Sequence, residues 1–164
     1  MFNRTYAHFT SHRNTPPECR VPSPAAIRKG SVVYLSHPLF RLYNSKGMKL
    51  HRDLVVNCLN MLYTNKLATA ELPSCGRLNL TRQPAKNRIL IHLLYATPIK
   101  RGSVEVIEDI VPLHDVPVTL AVPSKPKAVM AVPEQTELPY TYADGRIRFT
   151  LPKLTMAQIV AVEL

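Results

Sequence analysis

Residues 87–122 read NRILIHLLYATPIKRGSVEVIEDIVPLHDVPVTLAV, and this stretch decides the fold class. Runs of four to eight apolar, largely β-branched residues are separated by Pro, Gly and Lys-Arg. Branched side chains pack well on a pleated surface and proline cannot donate to a ladder, so these runs predict successive strands. The stretch carries no set of nucleophile, base and acid. The stretch predicts the core of a β domain and does not indicate an enzymatic reaction.

The same strand-and-turn pattern extends from Leu67 to Leu164. Asp144-Gly145 is the strongest hairpin signal, because a two-residue type I′ turn needs positive φ angles that Asp and Gly tolerate. Ile147 alternates with arginines, which predicts one buried and one wet face. We therefore predict a small antiparallel β-sandwich over residues 67–164, with strands at 77–81, 88–94, 103–108, 116–122, 128–132, 139–142, 146–151 and 157–162.

Residues 1–66 have a different pattern, typical of the end of an α/β layer. Residues 25–35 predict a strand, a tight turn at 28–30 and a second strand, which ends before His37-Pro38. Residues 46–64 predict one helix, capped by Asn44 or Ser45, and its apolar stripe comprises Leu54, Val55, Cys58, Leu59, Met61 and Leu62. Two strands and one helix cannot cover both faces of a sheet, so this part is predicted to need a partner.

Length and charge exclude several function classes. A chain of 164 residues can bury one good core or two small ones, but it is too short for a (β/α)8 barrel of about 250 residues together with these elements. The net charge of +10 is uneven: residues 1–52 carry +8 and the remainder +2. No Lys/Arg block or nucleic-acid-binding signature accompanies the charge, so nucleic acid is disfavoured as a partner. The alternative is a basic surface that meets an acidic domain or subunit.

The cysteine content and the hydropathy of the sequence indicate the cellular compartment. Cys19, Cys58 and Cys75 are odd in number and lack Cys-x-x-Cys spacing, so neither a zinc site nor a disulfide framework is predicted. No apolar run reaches the roughly 18 residues that a bilayer requires, and the first residues lack the apolar region of a signal peptide. We expect a cytoplasmic protein without membrane association or cofactor.

Three histidines are candidate site residues. His8 and His12 are four apart, which on a helix would place two imidazoles on one face, but no Glu lies between them and no third ligand is evident. A metal site is therefore not predicted, and hydrogen-bonding or surface roles are favoured. His37 follows a predicted strand, where it either faces a ligand or only caps the strand end.

Carboxylates and tyrosines of the β domain are candidates for carbohydrate hydrolysis and carbohydrate binding. Glycoside hydrolysis needs two carboxylates in a cleft, one of them desolvated, whereas the acidic residues here are predicted to be solvated: Glu105, Glu108, Asp109 and Asp115. No catalytic residue is predicted. Tyr140 and Tyr142, together with Tyr95, could stack on sugars or could be ordinary edge-strand and core tyrosines.

Several short stretches match a known family as a series: Phe2-Asn3-Arg4-Thr5, His8-Phe9-Thr10-Ser11-His12 with Thr15-Pro16, residues 25–40 around Ser36-His37-Pro38, Arg52-Asp53-Leu54-Val55, Leu72-Pro73-Ser74 with Gly76-Arg77, and Gln83-Pro84-Ala85 through residues 92–96 to Lys100-Arg101-Gly102. With these, nearly the whole chain resembles the C-terminal end of large bacterial β-galactosidase-like glycoside hydrolases. These are relatives of family 42 enzymes and of hypothetical glycosyl hydrolases with a β-galactosidase trimerisation domain.

The resemblance implies a fold and a function. In such enzymes a catalytic barrel is followed by a flavodoxin-like or glutaminase-like α/β trimerisation domain and a C-terminal β domain. Residues 1–66 would be the tail of the middle domain and 67–164 the β domain, an α+β chain without the catalytic barrel. The resemblance also makes His8, His12 and His37 candidates for substrate-proximal residues, since the middle domain can lie near a neighbouring subunit's active-site mouth.

We therefore expect a truncated, non-catalytic accessory region of a glycoside hydrolase, with a role in assembly and, as a second possibility, in shaping a carbohydrate site. Its partners would be other subunits or the missing catalytic domain, and carbohydrate is a further candidate. Two alternatives stay open: a stand-alone carbohydrate-binding β-sandwich that uses tyrosine stacking, and a basic nucleic-acid-binding protein. The latter predicts affinity that falls steeply with salt.

Overall fold

The computed structural model describes residues 24–164. The chain divides into two compact units, Met1–Asn65 and Lys66–Leu164, which we call the N-terminal unit and the sandwich unit. Within residues 24–164, neither helix has the length and apolar character that crossing a bilayer requires.

The N-terminal unit contains a β-hairpin followed by two helices. The strands are β1 (Ala26–Lys29) and β2 (Val32–Leu35), which pair antiparallel, and Gly30 supplies the positive φ of 56° that their turn needs. The hydroxyl and backbone amide of Ser36 both donate to the carbonyl of Ala25 at 3.0 Å and close the hairpin. The helices are α1 (Leu39–Lys46) and α2 (Lys49–Leu62).

The prediction of one helix over residues 46–64 was wrong at its start. Gly47 takes a left-handed conformation with φ 63° and donates its N–H to the carbonyl of Tyr43 at 2.8 Å, which ends α1. The predicted caps Asn44 and Ser45 lie inside α1, and α2 begins after Met48 without a side-chain cap. The apolar periodicity predicted α2 correctly, but the prediction did not recognise Gly47 as the end of a preceding helix.

The sandwich unit contains eleven strands and one short 3-10 turn, Pro84–Lys86. The strands are β3 (Ala68–Ala70), β4 (Arg77–Gln83), β5 (Arg88–Leu94), β6 (Ile99–Arg101), β7 (Val104–Val106), β8 (Leu113–Ala121), β9 (Ala128–Val132), β10 (Thr136–Glu137), β11 (Tyr140–Ala143), β12 (Arg146–Leu154) and β13 (Ala157–Glu163).

Two antiparallel sheets enclose one core. The first has the order β11-β12-β8-β3 and the second β10-β9-β13-β5-β4. Phe149 lies opposite Val118 in the first sheet and Ile91 opposite Val160 in the second, and all four side chains are buried in the shared core. Because side chains alternate between faces along a strand, this register leaves Thr119, next to Val118, on the outer side.

The outermost strands differ in length. β3 has three residues and β10 two, whereas β4, an edge of the second sheet, has seven. Arg82 of β4 lies opposite Ile89, so this cation is on the core side of an edge strand.

Strands β6 and β7 pair only with each other, and we call residues 99–112 the arm. The guanidinium of Arg101 donates to both carboxylate oxygens of Glu108, at 2.7 and 3.3 Å, on the exposed surface of the arm. The arm therefore forms a third, separate element of the sandwich unit.

The α+β class and the mostly antiparallel sheets agree with the sequence prediction. The Asp144-Gly145 hairpin is confirmed: these residues have φ of 52° and 70° and connect β11 to β12. Sequence analysis missed β3, β6 and β10, which have two or three residues each and are too short for an alternating pattern. The flavodoxin-like or glutaminase-like character of residues 1–66 stays a prediction.

Candidate interaction surface

Helix α2 carries the apolar stripe that the sequence predicts, but the stripe is only partly covered. Cys58 is buried and Leu54 and Val55 are half-buried, whereas Leu59 is 56% exposed and Leu62 is also exposed. Since an amphipathic helix is stabilised mainly by burying its apolar face, α2 has more apolar surface than the described part of its unit covers.

Helix α1 and the hairpin add to this surface. Phe40 of α1 is 75% exposed, and in the hairpin Ile27, Val32 and Tyr34 are exposed as well. Scattered single apolar residues on a surface are normal, but a concentration in one small unit marks an interaction site. We call the exposed apolar side chains of residues 24–65 the apolar surface of the N-terminal unit.

The charged side chains of residues 24–65 are nearly all positive. Residues 24–65 contain six Lys or Arg residues and a single acid, Asp53. Asp53 accepts from Lys49 at 2.5 Å and lies 3.3 Å from Arg52, and the hydrogen bond from Lys49, followed by the charges of both cations, lowers the pKa of its carboxyl below the ordinary value. The single acid of residues 24–65 is thus already paired, and the remaining cations of this segment favour an acidic partner.

Two buried nitrogens of α2 lack partners among residues 24–164. These are Nδ1 of His51 and Nε of Arg52. A buried polar atom without a hydrogen bond is costly, so it needs an explanation. Neither atom is accessible to solvent, so these two nitrogens do not belong to the surface that a partner could contact.

The predicted histidines give no assembled site. His8 and His12 lie outside the described residues. His37 is exposed in the bend after β2, and its backbone carbonyl accepts from the N–H of Leu39 at 2.8 Å, at the entrance to α1. The backbone of His37 thus has a structural role at a helix start, and substrate proximity stays a prediction for all three histidines.

Tyr140 and Tyr142 lie on the core side of the first sheet, at its edge. They are opposite Phe149 and Ile147 of β12, and directly opposite residues of antiparallel strands share a face. Tyr140 is half-buried against the core and donates its hydroxyl to the carbonyl of Pro126 at 2.6 Å, whereas Tyr142 is exposed. A stacking role stays a prediction, and Tyr95 belongs to the other sheet, at the end of β5.

The acidic residues that were candidates for a glycoside-hydrolysis pair are exposed to solvent. Glu105, Glu108 and Asp109 lie on the arm and Asp115 lies in β8, and all four side chains are exposed. A general acid for glycoside hydrolysis needs a desolvated carboxyl with a raised pKa. Exposed carboxyls do not provide it.

One polar contact was missed by sequence analysis. Gln158 donates to a carboxylate oxygen of Glu134 and to the carbonyl of Val132, each at 3.0 Å, and the bond from Gln158 is the main cause of a lowered pKa at Glu134. A lowered pKa keeps this carboxyl ionised, so Glu134 is unsuited to donating a proton. The two partners are 24 positions apart, and the sequence contains no local pattern that indicates their contact.

Metal chemistry has no support in the part of the chain that the structure describes, since residues 24–164 contain no group of three or more His, Cys, Asp or Glu side chains that could hold an ion. What residues 24–65 do present is an apolar, basic surface, and surfaces of this kind can bind a macromolecule.

The signal for the missed half of this surface was present in the sequence. Leu39, Leu42 and Tyr43 have three- and four-residue spacing, the pattern of a helical face, directly after Pro38. The sequence prediction assigned no element to these residues and so missed α1 and with it the exposed Phe40.

Comparison with known proteins gives a similarity to a solved enzyme structure. No model of a protein family matches the chain, and no significant match was found among curated proteins. Among solved structures, α-L-fucosidase isoenzyme 2 from Paenibacillus thiaminolyticus is similar, with 34% sequence identity and a TM-score of 0.88. The match covers 99% of this chain and 25% of the fucosidase chain, so this chain spans about a quarter of the length of that enzyme.

The similarity supports the coarser part of the expected resemblance. Nearly the whole chain is similar to part of a glycoside hydrolase. The relationship to β-galactosidase-like enzymes and to their trimerisation domain stays a prediction, because the similar enzyme is a fucosidase.

Proposed function

We propose that this chain is a non-catalytic accessory region of a glycoside hydrolase, and that its N-terminal unit acts in assembly with a catalytic domain or subunit. The observation that carries the proposal is the apolar surface of the N-terminal unit. Exposed Phe40 and Leu59, half-covered helix faces and a net positive charge are what a docking surface for an apolar, acidic partner requires. The similarity to a quarter of a fucosidase supplies the class of partner.

The proposal that the chain is non-catalytic has two supports. The carboxylates that could run glycoside hydrolysis are exposed, and the pKa values of Asp53 and Glu134 are shifted away from those of a general acid. The remaining three quarters of the fucosidase have no counterpart in the match.

A chimera tests both parts. This chain would replace the matching quarter of the Paenibacillus thiaminolyticus fucosidase, and hydrolysis of an aryl α-L-fucoside would be measured for the chimera and for the chain alone. We expect turnover from the chimera and none from the chain, which should also be silent towards aryl β-galactosides. Turnover by the chain alone would refute a non-catalytic role.

Two matched variants test the docking surface in the same chimera. Phe40→Ser with Leu59→Ser removes exposed apolar groups from the N-terminal unit, and Val104→Ser with Met156→Ser removes exposed apolar groups from the sandwich unit. We expect the first pair to abolish soluble, active chimera and the second to have a much smaller effect. Equal loss from both pairs would contradict docking through the N-terminal unit.

Carbohydrate contact by His8, His12 and His37 belongs to the proposal as its second part. The exposure of His37 favours it, because an exposed imidazole can hydrogen-bond to sugar hydroxyls. In the chimera, His37→Ala should raise KM for the fucoside and leave kcat unchanged. An unchanged KM for all three single substitutions would remove this part and leave the assembly role intact.

A further inference from the structure

A cavity of about 450 Å³ lies between the two sheets of the sandwich unit, on the side of the edge strands β3 and β4. Leu80 and Ile89 of the second sheet line it, together with Leu120 of the first sheet and Leu67, which directly precedes β3. At about 3.3 Å per residue, β3 extends for about 10 Å and β4 for about 23 Å, so the shorter edge leaves part of the longer one uncovered. We call this space the edge cavity.

The edge cavity has apolar walls. Apart from Arg82, every side chain that lines it is aliphatic or a proline ring. Leu120 is fully buried and Leu80 and Ile89 are half-buried, whereas Leu67 is 56% exposed, so the apolar lining continues from the core out to the surface. A concave and mainly apolar space of about 300–1,000 Å³ with few polar groups is the usual form of a small-molecule site.

Arg82 supplies the one charged side chain of the lining. It is exposed at a core-side position of β4, opposite Ile89. Its guanidinium forms no ion pair or hydrogen bond with any of residues 24–164, and Leu164, also in the lining, accepts instead from the side-chain amide of Asn87 at 2.7 Å. Because a guanidinium presents a rigid fork of donors that matches a carboxylate, Arg82 is suited to an anionic ligand.

The lining also separates this cavity from a carbohydrate site. No aromatic side chain is present on which a sugar ring could stack, and Arg82 supplies the only side-chain group that can form strong hydrogen bonds. A sugar bound here would leave hydroxyl groups without partners, which costs free energy. The edge cavity is therefore suited to a ligand that is aliphatic at one end and anionic at the other.

We propose that the edge cavity binds an aliphatic carboxylate, whose chain contacts Leu80, Ile89 and Leu120 and whose carboxylate pairs with Arg82. Burial of the chain supplies most of the affinity, and the ion pair selects the sign of the ligand charge. The inference goes beyond the accessory function and does not depend on it. An inward-placed charge on an edge strand also discourages further strand pairing, and a role limited to that effect predicts no ligand.

Octanoate is the probe, and two-dimensional NMR of the intact chain at low ionic strength follows its binding. We expect a dissociation constant of about 1 mM or lower, with the largest shifts at the methyl groups of Leu80, Ile89 and Leu120. Octylammonium has the same chain with the opposite charge, and acetate has the carboxylate without the chain. Each should bind at least about tenfold more weakly than octanoate.

Three variants test the role of Arg82. Arg82→Met removes the charge, keeps an apolar side chain and should weaken octanoate binding at least about tenfold. Arg148→Met is the matched control, because Arg148 is an exposed cation of β12 that lies opposite Thr119 on the outer side of the first sheet. This control should leave the affinity unchanged. Arg82→Glu should exchange the preference, so that octylammonium binds more tightly than octanoate. Circular dichroism establishes that each variant is folded.

Absence of saturable octanoate binding up to about 10 mM overturns the inference, and so does equal binding of octylammonium. Shifts located away from the edge cavity, or the same affinity in Arg82→Met and Arg148→Met, overturn it as well. The accessory role is tested by the activity of the chimera and is unaffected by these results, so the two proposals fail separately.

Discussion

The two units of this chain differ most in what they do with their apolar residues. Of the 20 buried apolar residues within 24–164, 17 lie in the sandwich unit and only Ala25, Leu39 and Cys58 in the N-terminal unit. Exposed large apolar residues show the reverse, with 12 of 20 in the 42 described residues of the N-terminal unit. A unit that buries its apolar side chains can fold by itself, whereas one that exposes them depends on what covers it.

The difference also separates two kinds of sequence information. Apolar residues of the sandwich unit indicate which side chains form its own core. The same residue types in the N-terminal unit indicate a surface that contacts another molecule or domain. Periodicity is identical in the two cases, because a helix or strand repeats in the same way whether its apolar face meets its own chain or another.

The largest expected difference comes from core truncation. Phe149→Ala in the sandwich core should lower the free energy of unfolding by about 3–5 kcal/mol, because the side chain is 5% exposed and leaves a cavity. Leu59→Ala on α2 should change it by about 0.5 kcal/mol or less in the isolated chain. Urea unfolding followed by far-UV circular dichroism measures both. Similar losses for the two variants would mean that α2 is already covered.

A matched pair of glycines gives the next effect. Gly145 and Gly47 both have positive φ, and an added Cβ would meet nothing closer than 3.8 Å at either, so alanine costs only conformational strain of about 1–2 kcal/mol. Gly145→Ala should lower the stability of the whole sandwich unit. Gly47→Ala should accelerate amide exchange in α1 and α2 alone. Exchange that accelerates throughout the chain for Gly47→Ala would show that the two units unfold together.

Tyrosine hydroxyls give a smaller contrast. Tyr140→Phe removes the bond to the carbonyl of Pro126 and should cost about 1 kcal/mol. Tyr34→Phe, at an exposed position of the hairpin, should cost nothing measurable. Thermal unfolding of the two variants provides the comparison. An equal cost would indicate that the Tyr34 hydroxyl has a partner.

The smallest effect is the pH dependence of one carboxyl in each unit. The pKa of Asp53 and that of Glu134 are both lowered, mainly by hydrogen bonds from Lys49 and Gln158. A lowered folded-state pKa contributes stability that is fully present above the ordinary pKa of about 4 and is lost as the pH falls through the lower folded-state pKa, so both contributions decline only in acid. Lys49→Met and Gln158→Leu should each raise the pKa of the paired carboxyl in an NMR titration. An unchanged value would contradict the pairing.

The sandwich could be predicted from the sequence because its residues interact with each other. The turn at Asp144-Gly145 sets the register of β11 and β12, and both the turn and the alternation at Ile147 and Phe149 are visible in the local sequence. The short strands β3 and β10 could not be predicted, since they form only where a long neighbouring strand offers a ladder.

The candidate surface was predictable only in part. The stripe around Cys58 indicated that α2 packs against something, but exposure of Leu59 depends on what the rest of the unit covers, which spacing alone does not give. The arm illustrates the same limit. Residues 103–108 predicted a strand of the sandwich, whereas the structure pairs β7 only with β6, because register is a property of two strands.

The borders of the two large sheets restrict how copies of this protein can assemble. A strand that meets β3 or β10 finds two or three residues to pair with, and one that meets β4 finds Arg82, an exposed cation at a core-side position of that strand. Short edges and inward charges are devices by which natural proteins prevent fibrillar growth. At high concentration, amyloid-like stacking of the sheets should therefore be suppressed.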